Sequence, residues 1–461
     1  MRVLLLCPPP SLDPPLARPR RAPHFTAILA AALRDRGHDV VVQDAALVTC
    51  DLLRIAADAR RAGPERVLLC HSDYNRRTEA AALERIAAAL IDALPGVPLV
   101  LYGRLDARHA EQALAQTPSV DLCLFGEPDR TVPDWLDGAS AGTVERREGA
   151  FLITPAAVGI PDDSPVPAWD LLPPEHYGFA PHQQGADVVF PVLASRGCPF
   201  PCFYCEVRAR PAWAPRPVEA VLAELDVLRT RYGARSVFLA DPTFGVDRAW
   251  ALRFCAVLQA TGWDLRWSCM CRTDRVDAAL LQAMADAGCW NVLFGIESLQ
   301  QPALDGARKN LDAATVAPAI AAAKAAGIET IASIMIGLPG DTPAGVERTV
   351  DRIIELDPDF AQFFVLQLDG DDAPDGGRFL GEWTGAKHDF WGRACAPEAF
   401  ESLAELERLR RRAFRRFYLR PRYVAGRLRA LARSGEARAQ LGRAARGGLL
   451  ALRMATGRHV A

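Results

Sequence analysis

The chain has 461 residues, half of them hydrophobic and 24% charged, a globular composition with material for roughly two to four domains. Its 54 basic and 56 acidic residues leave a formal charge of −2, so the chain as a whole is not a polycation built for nucleic acid. No apolar run approaches the roughly 18 residues of a membrane span, and the start Met1-Arg2-Val3-Leu4-Leu5-Leu6-Cys7-Pro8-Pro9 is too short and proline-stopped for a signal peptide, which predicts a cytoplasmic protein with reduced thiols.

Residues 1–140 alternate short β-branched runs with Ala/Leu-rich helical stretches, the pattern of an α/β, doubly wound (Rossmann-like) parallel sheet. Strands are expected at Met1–Cys7, Val40–Gln43, Arg66–Cys70, Val97–Tyr102 and Leu122–Phe125, with helices at Phe25–Arg36 and Thr78–Leu94. The ligand of such a sheet sits beyond the strand carboxyl ends. Residues 141–185 dissolve into Pro, Asp and Gly, and read as a linker laid over a surface. From residue 186 to 370 a second series begins. Strands are expected at Asp187–Ala194, Ser236–Ala240, Arg266–Met270, Trp290–Gly295, Thr330–Ile336 and Phe360–Leu366. Helices are expected at Val218–Tyr232, Ala249–Thr261, Ala278–Ala287, Ala313–Ala326 and Pro343–Leu356. Six βα units make a partial (β/α)6 barrel with its site at the strand C-termini. Residues 371–461 read as helical and arginine-rich: residues 401–461 hold 16 Arg against 4 Glu.

Of the 12 cysteines, three are clustered in Cys198-Pro199-Phe200-Pro201-Cys202-Phe203-Tyr204-Cys205, directly after the first strand of the second series. Three thiolates on one short loop can converge on one centre and leave a metal position open, as an iron–sulfur cluster allows. A zinc loop that borrows a distant fourth ligand uses the same donors. Cys7, Cys50, Cys70, Cys123, Cys255, Cys269, Cys271, Cys289 and Cys395 mostly lie in apolar strands or helices and read as small buried hydrophobes. One of Cys269 and Cys271 is expected to face the barrel cavity.

The C-x3-C-x2-C spacing, the aromatic Tyr204 before the last cysteine and the β/α series that follows resemble the radical S-adenosylmethionine (radical SAM) superfamily. That resemblance implies a [4Fe–4S] cluster on Cys198, Cys202 and Cys205, with S-adenosylmethionine chelated by the fourth iron and cleaved to a 5′-deoxyadenosyl radical. Asp241, Arg272, Gly295-Ile296-Glu297-Ser298 and Gly337-Leu338-Pro339 fall at four successive strand ends, where the family lines its SAM pocket. Arg272 is the expected bidentate partner of the SAM carboxylate, and the glycines let backbone approach a ligand.

The first domain resembles the cobalamin-binding group within that superfamily, in Val3–Pro10, Leu33–Val40 and Val120–Glu127. The linker Val166–Pro173 and the tail Arg415–Pro421 resemble it too. The chain departs from the group at two points. No D-x-H-x-x-G is present, and His109 in Asp106-Ala107-Arg108-His109 reads as a helix-surface histidine. Where the group often has Gly-Gly, the chain has Gly103-Arg104.

The resemblance implies a cobalamin-dependent C-methyltransferase acting at an unactivated carbon of a small metabolite, lipid or natural-product intermediate. A cyclase or rearrangement enzyme of the same family is the alternative, and an RNA-modifying methylthiotransferase, with a second cluster on Cys7, Cys50 and Cys70, is a further one. The implied partners are a small-molecule or lipid-like substrate and a reductant such as flavodoxin or ferredoxin. A basic tail without an RNA-binding module argues against nucleic acid. Phe414, Phe417, Tyr418, Leu419 and Tyr423 among the arginines suit docking on the barrel or a peripheral membrane contact.

Overall fold

The computed structural model describes the chain apart from residues 10–21, 49–50, 74–75, 78–79, 158–163, 173–176, 178–188, 206, 208–212, 369–376, 383–392 and 427–461. It divides into two compact units, Met1–Gly178 with His388–Phe390 and Phe179–Lys387 with Trp391–Ala461.

In the first unit β1 (Arg2–Cys7), β2 (Asp39–Asp44), β3 (Arg66–Asp73), β4 (Leu99–Gly103) and β5 (Leu122–Leu124) run parallel in the order β2-β1-β3-β4-β5. Val3 to Cys7 are buried on both faces, as a central parallel strand requires. The helices are α1 (His24–Asp35), α2 (Leu52–Ala62), α3 (Ala80–Ala93), α4 (Ala107–Ala115) and α5 (Pro128–Leu136). Helix α2 is an addition to the elements expected from the sequence, although Asp51 caps its start and Gly63 ends it in the left-handed region.

One expectation for residues 141–185 needs correction. Thr143–Arg147 (β6) and Ala150–Thr154 (β7) form an antiparallel hairpin that extends the sheet beyond β5. Its turn, Glu148-Gly149, has φ of 49° and 83°, the positive pair that a tight hairpin demands. The chain beyond the hairpin is fastened to the first unit. Trp169 is buried and lies edge-on to His24, the Ala168 N–H donates to the Ala27 carbonyl, and Tyr177 donates to Asp44.

In the second unit β8 (Phe190–Val192), β9 (Ser236–Phe244), β10 (Arg266–Cys271), β11 (Cys289–Glu297), β12 (Glu329–Ile336) and β13 (Phe360–Val365) form a six-stranded parallel sheet in chain order. Helices α6 (Val218–Tyr232), α7 (Arg248–Ala260), α8 (Ala278–Asp286), α9 (Val316–Ala325) and α10 (Pro343–Leu356) alternate with the strands. This is the expected partial barrel, and its C-terminal strand ends share one edge. Trp267, Phe244, Phe254 and Trp250 pack as one aromatic cluster between strands and helices. Cys269 and Cys271, two residues apart, share a face, with sulfurs 3.7 Å apart. That face is the helix-facing one, beside Cys255 of α7, so the expectation that one faces the cavity fails. Every other cysteine outside the triplet that is described is buried; Cys50 lies outside the described residues.

The C-terminal region opens with a small antiparallel sheet, Gln367–Leu368, Gly377–Glu382 and Arg393–Pro397, where the sequence suggests only helix. Helix α11 (Leu403–Tyr418) then docks along β13. Phe414 and Phe417 are buried against Phe363, and the Tyr418 hydroxyl accepts from the Ala361 N–H and donates to its carbonyl. Tyr423 donates to the Asp359 carbonyl. Arg412 and Arg416 pair with Glu347, and Arg416 also with Asp351, on α10. Docking on the barrel is therefore what the arginine and aromatic stripe does through Tyr423. Among the described residues no helix is long and apolar enough to cross a membrane.

Candidate metal and cofactor centre

The cysteine loop begins from a rigid base. After β8, Ser195 and Arg196 pair with Ala214 and Pro215 in a short antiparallel ladder. Asp241, in the C-terminal half of β9, accepts from the N–H of Ala194 (2.8 Å) and of Ser195 (3.0 Å). Burial pushes its carboxyl up to about 7, against those two N–H donors, which pull it down. Arg216 donates to the Leu193 carbonyl and pairs with Glu224 at 2.5 Å, both buried. Asp241 was expected in the SAM pocket. In the structure it instead holds the backbone that leads into the cysteines.

Beyond Gly197, at φ 76°, come Cys198, Cys202 and Cys205, none of them in a disulfide. Cys202 is buried and the other two are half-buried. Burial raises the Cys198 thiol, while the nearby charges of Arg272 and Lys309 favour its thiolate. Three thiols on one loop beside two cations suit the donor set of a cuboidal iron–sulfur cluster, which takes a thiolate on each of three irons.

Tyr204 ties the loop to the end of β11. Its hydroxyl is raised well above the ordinary range, first by burial, then by the charges of Glu297, Cys202 and Cys205. Lys309 reaches it at 3.3 Å and pairs with Glu297 Oε1 at 3.0 Å, the two side chains only 5% and 9% exposed. Glu297 holds φ 67°, a left-handed backbone that a non-glycine residue adopts at a cost and keeps where its surroundings fix it. A Cβ on Gly295 would lie 3.1 Å from Glu297 Oε1 and 3.3 Å from Lys309 Nζ. The glycine is there for the ion pair. Tyr204, Gly295 and Glu297 therefore do gather beside the thiols, together with Lys309, which no motif in the sequence marks. Its signal lies in the composition: only three lysines, at 309, 324 and 387, stand among the 54 basic residues.

Four other expected pocket residues are engaged by the protein. The Arg272 fork donates from Nε and Nη2 to the two oxygens of Asp274 (2.9 and 3.0 Å). Its remaining edges reach the carbonyls of Lys309 and Asn310, and its guanidinium lies 3.9 Å from the centroid of Phe200. The bidentate partner expected from a ligand is thus Asp274. Ser298 receives the Gln300 N–H and sits against Thr349. Around Gly337, at φ 93°, an added Cβ would meet the Cys395 carbonyl at 3.2 Å, so the close approach is to the small antiparallel sheet. The Pro339 carbonyl fills the space that a side chain on Gly306 would need. His109, as expected, is a helix-surface residue, its Nδ1 2.7 Å from Asp106.

The profile of the Radical SAM superfamily matches residues 192–353, from β8 into α10. Residues 192–353 thus carry a radical SAM domain, the second unit's barrel, and the cofactors of that family are a [4Fe–4S] cluster and S-adenosylmethionine. An uncharacterized methyltransferase of Pyrococcus horikoshii is 26% identical over 446 residues, 92% of this chain and 94% of that protein. The anaerobic magnesium-protoporphyrin IX monomethyl ester cyclase of Synechocystis is 25% identical over 78% of this chain and 73% of its own length. The radical SAM methyltransferase TsrM of Kitasatospora setae, solved with cobalamin and a [4Fe–4S] cluster, superposes with a TM-score of 0.65 at 19% identity, over 88% of this chain and 81% of that one. OxsB, a cobalamin-dependent radical SAM enzyme, gives 0.68 at 14% identity, over 99% and 72%. At those identities the superpositions show a shared fold.

Proposed function

We propose that the protein is a cobalamin-dependent C-methyltransferase acting at an unactivated carbon of a small metabolite, lipid or natural-product intermediate. The observation that carries this reading is the union in one chain of the three-thiol loop with a β2-β1-β3-β4-β5 sheet, whose ligand crevice lies beyond the strand ends at the β1/β3 switch point. The name of the Pyrococcus relative and the cobalamin in TsrM support it. The cluster, S-adenosylmethionine and cobalamin, when bound, supply one-electron chemistry, a carbon radical and a transferable methyl group.

The chain's own residues do the rest. Cys198, Cys202 and Cys205 would hold the irons. Arg272 and Lys309 place positive charge beside those thiolates in a buried setting, where it acts most strongly. Glu297 and Tyr204 hold Lys309, and Asp241 fixes the base of the loop. On the first unit, the fit to a corrin rests on a buried donor: Arg104 Nη2 has no partner among the described residues, and a corrin rim is rich in acceptor oxygens. A flavodoxin- or ferredoxin-type reductant is the expected electron source.

A second reading is favoured by the Synechocystis cyclase, which aligns over 78% of this chain. Anaerobic turnover with methyl-labelled S-adenosylmethionine separates the two. Label carried into the substrate supports methylation; 5′-deoxyadenosine formed with substrate dehydrogenated and unlabelled supports cyclisation. Protein produced with cobalamin should carry about one corrin per chain, and its failure to do so would remove the methyltransferase reading.

A further inference from the structure

Arg104 follows β4 and Glu127 follows β5, so both stand at the carboxyl edge of the first unit's sheet. Arg104 Nε donates to Glu127 Oε1 (3.1 Å) and Oε2 (3.3 Å), the side chains 10% and 9% exposed. The guanidinium also lies 4.6 Å from the ring centroid of Phe25, in the first turn of α1. This is side-on pairing. It uses Nε and leaves Nη2 buried, donating to nothing among the described residues. A buried guanidinium N–H without an acceptor is costly, so its presence points to an acceptor that arrives with a ligand.

The surroundings narrow what that acceptor is. Two carboxylates stand at this corner: Glu127, and Asp129 in the first turn of α5, are both buried. They cancel the charge that would attract a phosphate or carboxylate. The complementary group is neutral and carries an acceptor and a donor side by side.

We propose that Arg104 and Glu127 together read a primary carboxamide on the ligand of the first unit. The carbonyl accepts from Arg104 Nη2, and the amide NH2 donates to the Glu127 carboxylate, which offers about four acceptor positions. The inference rests on the corrin reading, because a corrin rim bears such acetamide and propionamide arms. It assigns a role to Arg104, which stands where the cobalamin-binding group often has a second glycine.

The test compares binding of hydroxocobalamin with that of its monocarboxylate derivatives, each having one rim amide hydrolysed, to the full-length protein. Wild type should bind one monocarboxylate about tenfold more weakly than cobalamin, because that carboxylate faces Glu127. Glu127→Gln should close the gap for that derivative and leave the others unchanged, since glutamine donates where glutamate repels. Arg104→Met should weaken cobalamin about tenfold and leave that derivative the weakest binder of the series, because Glu127 still faces its carboxylate. Equal wild-type affinity for all the corrins, or a Glu127→Gln effect shared by every derivative, overturns the proposal and leaves the corrin reading intact. Absence of any corrin binding by wild type overturns both. The ligand series needs no variant to fold, so the proposal stays exposed even if Arg104→Met is unstable.

Discussion

The carboxyl edges of the two sheets solve opposite problems. In the barrel, Asp241, Arg272, Ser298 and Gly337 are consumed by the protein itself, bonded or packed against neighbouring loops. The stretch from the thiols through Tyr204 to Glu297 and Lys309 concentrates buried charge beside the cysteine loop, with Arg272 against Phe200 on the same loop. In the first unit the corresponding edge keeps a buried donor in hand at Arg104. A motif at a strand end thus marks a neighbourhood. Whether the residue serves a ligand depends on which neighbour reaches it first.

The largest test contrasts two groups of thiols. Replacing Cys198, Cys202 and Cys205 together by Ala should abolish cluster iron and reductive cleavage of S-adenosylmethionine, whereas Cys269→Ala with Cys271→Ala should leave iron per chain unchanged. Iron and sulfide analysis after anaerobic reconstitution reads both, and retained cluster in the triple variant breaks the contrast.

Next comes the buried pair. Lys309→Met strands Glu297 in the interior and should cost about 3–5 kcal/mol in denaturant unfolding. Lys309→Met with Glu297→Gln should recover most of that loss, yet still weaken the binding of S-adenosylmethionine. A double variant as unstable as the single one would mean that Lys309 acts by packing and not by charge.

Asp341 tests how far internal anchoring extends. Burial pushes its carboxyl up to about 7, with the N–H groups of Thr342 and Gly337 opposing. A carboxyl raised in the folded state contributes stability that is fully present below the unfolded value, near 4, and is lost as pH rises through about 7. Relative to Asp341→Asn, wild type should therefore lose stability from about pH 4 to 7, by at most about 1.4 kcal/mol per unit, and run parallel above. Melting curves across that range check it; parallel curves throughout would refute it.

The smallest expected effect is at the barrel's last strand. Tyr418→Phe removes the hydroxyl shared by the Ala361 N–H and carbonyl and should cost about 1–2 kcal/mol. Hydrogen exchange at Ala361 should accelerate more than at β10, and equal protection in both proteins would show that the hydroxyl is idle.

Periodicity and caps made much of this fold legible. Helices Val218–Tyr232 and Pro343–Leu356 lie where the pattern puts them, since each has an apolar stripe and a clear stop. The hairpin at 143–154 escaped because Thr143-Val144-Glu145-Arg146-Arg147 is a mostly polar strand with little alternation. At the site, the cysteines are a local motif and stand out unaided. Lys309 lies twelve residues past Glu297, so its pairing is a tertiary fact. The same holds for Arg272, whose sequence position promises a ligand contact that Asp274, two residues on, takes first. Arg104 is less legible still, because a spare N–H is defined by every neighbour that fails to reach it.

The tyrosines that close the free side of β13 set a timetable for synthesis. Ala361 and Tyr418 are separated by 57 positions. At about 5–20 residues per second of translation, the last strand of the barrel waits roughly 3–11 s between leaving the ribosome and receiving its cover. Throughout that interval its outward N–H and carbonyl groups face whatever other chain is nearby. The interval, more than the finished stability of the barrel, is when a nascent chain of this protein stands to gain most from a chaperone.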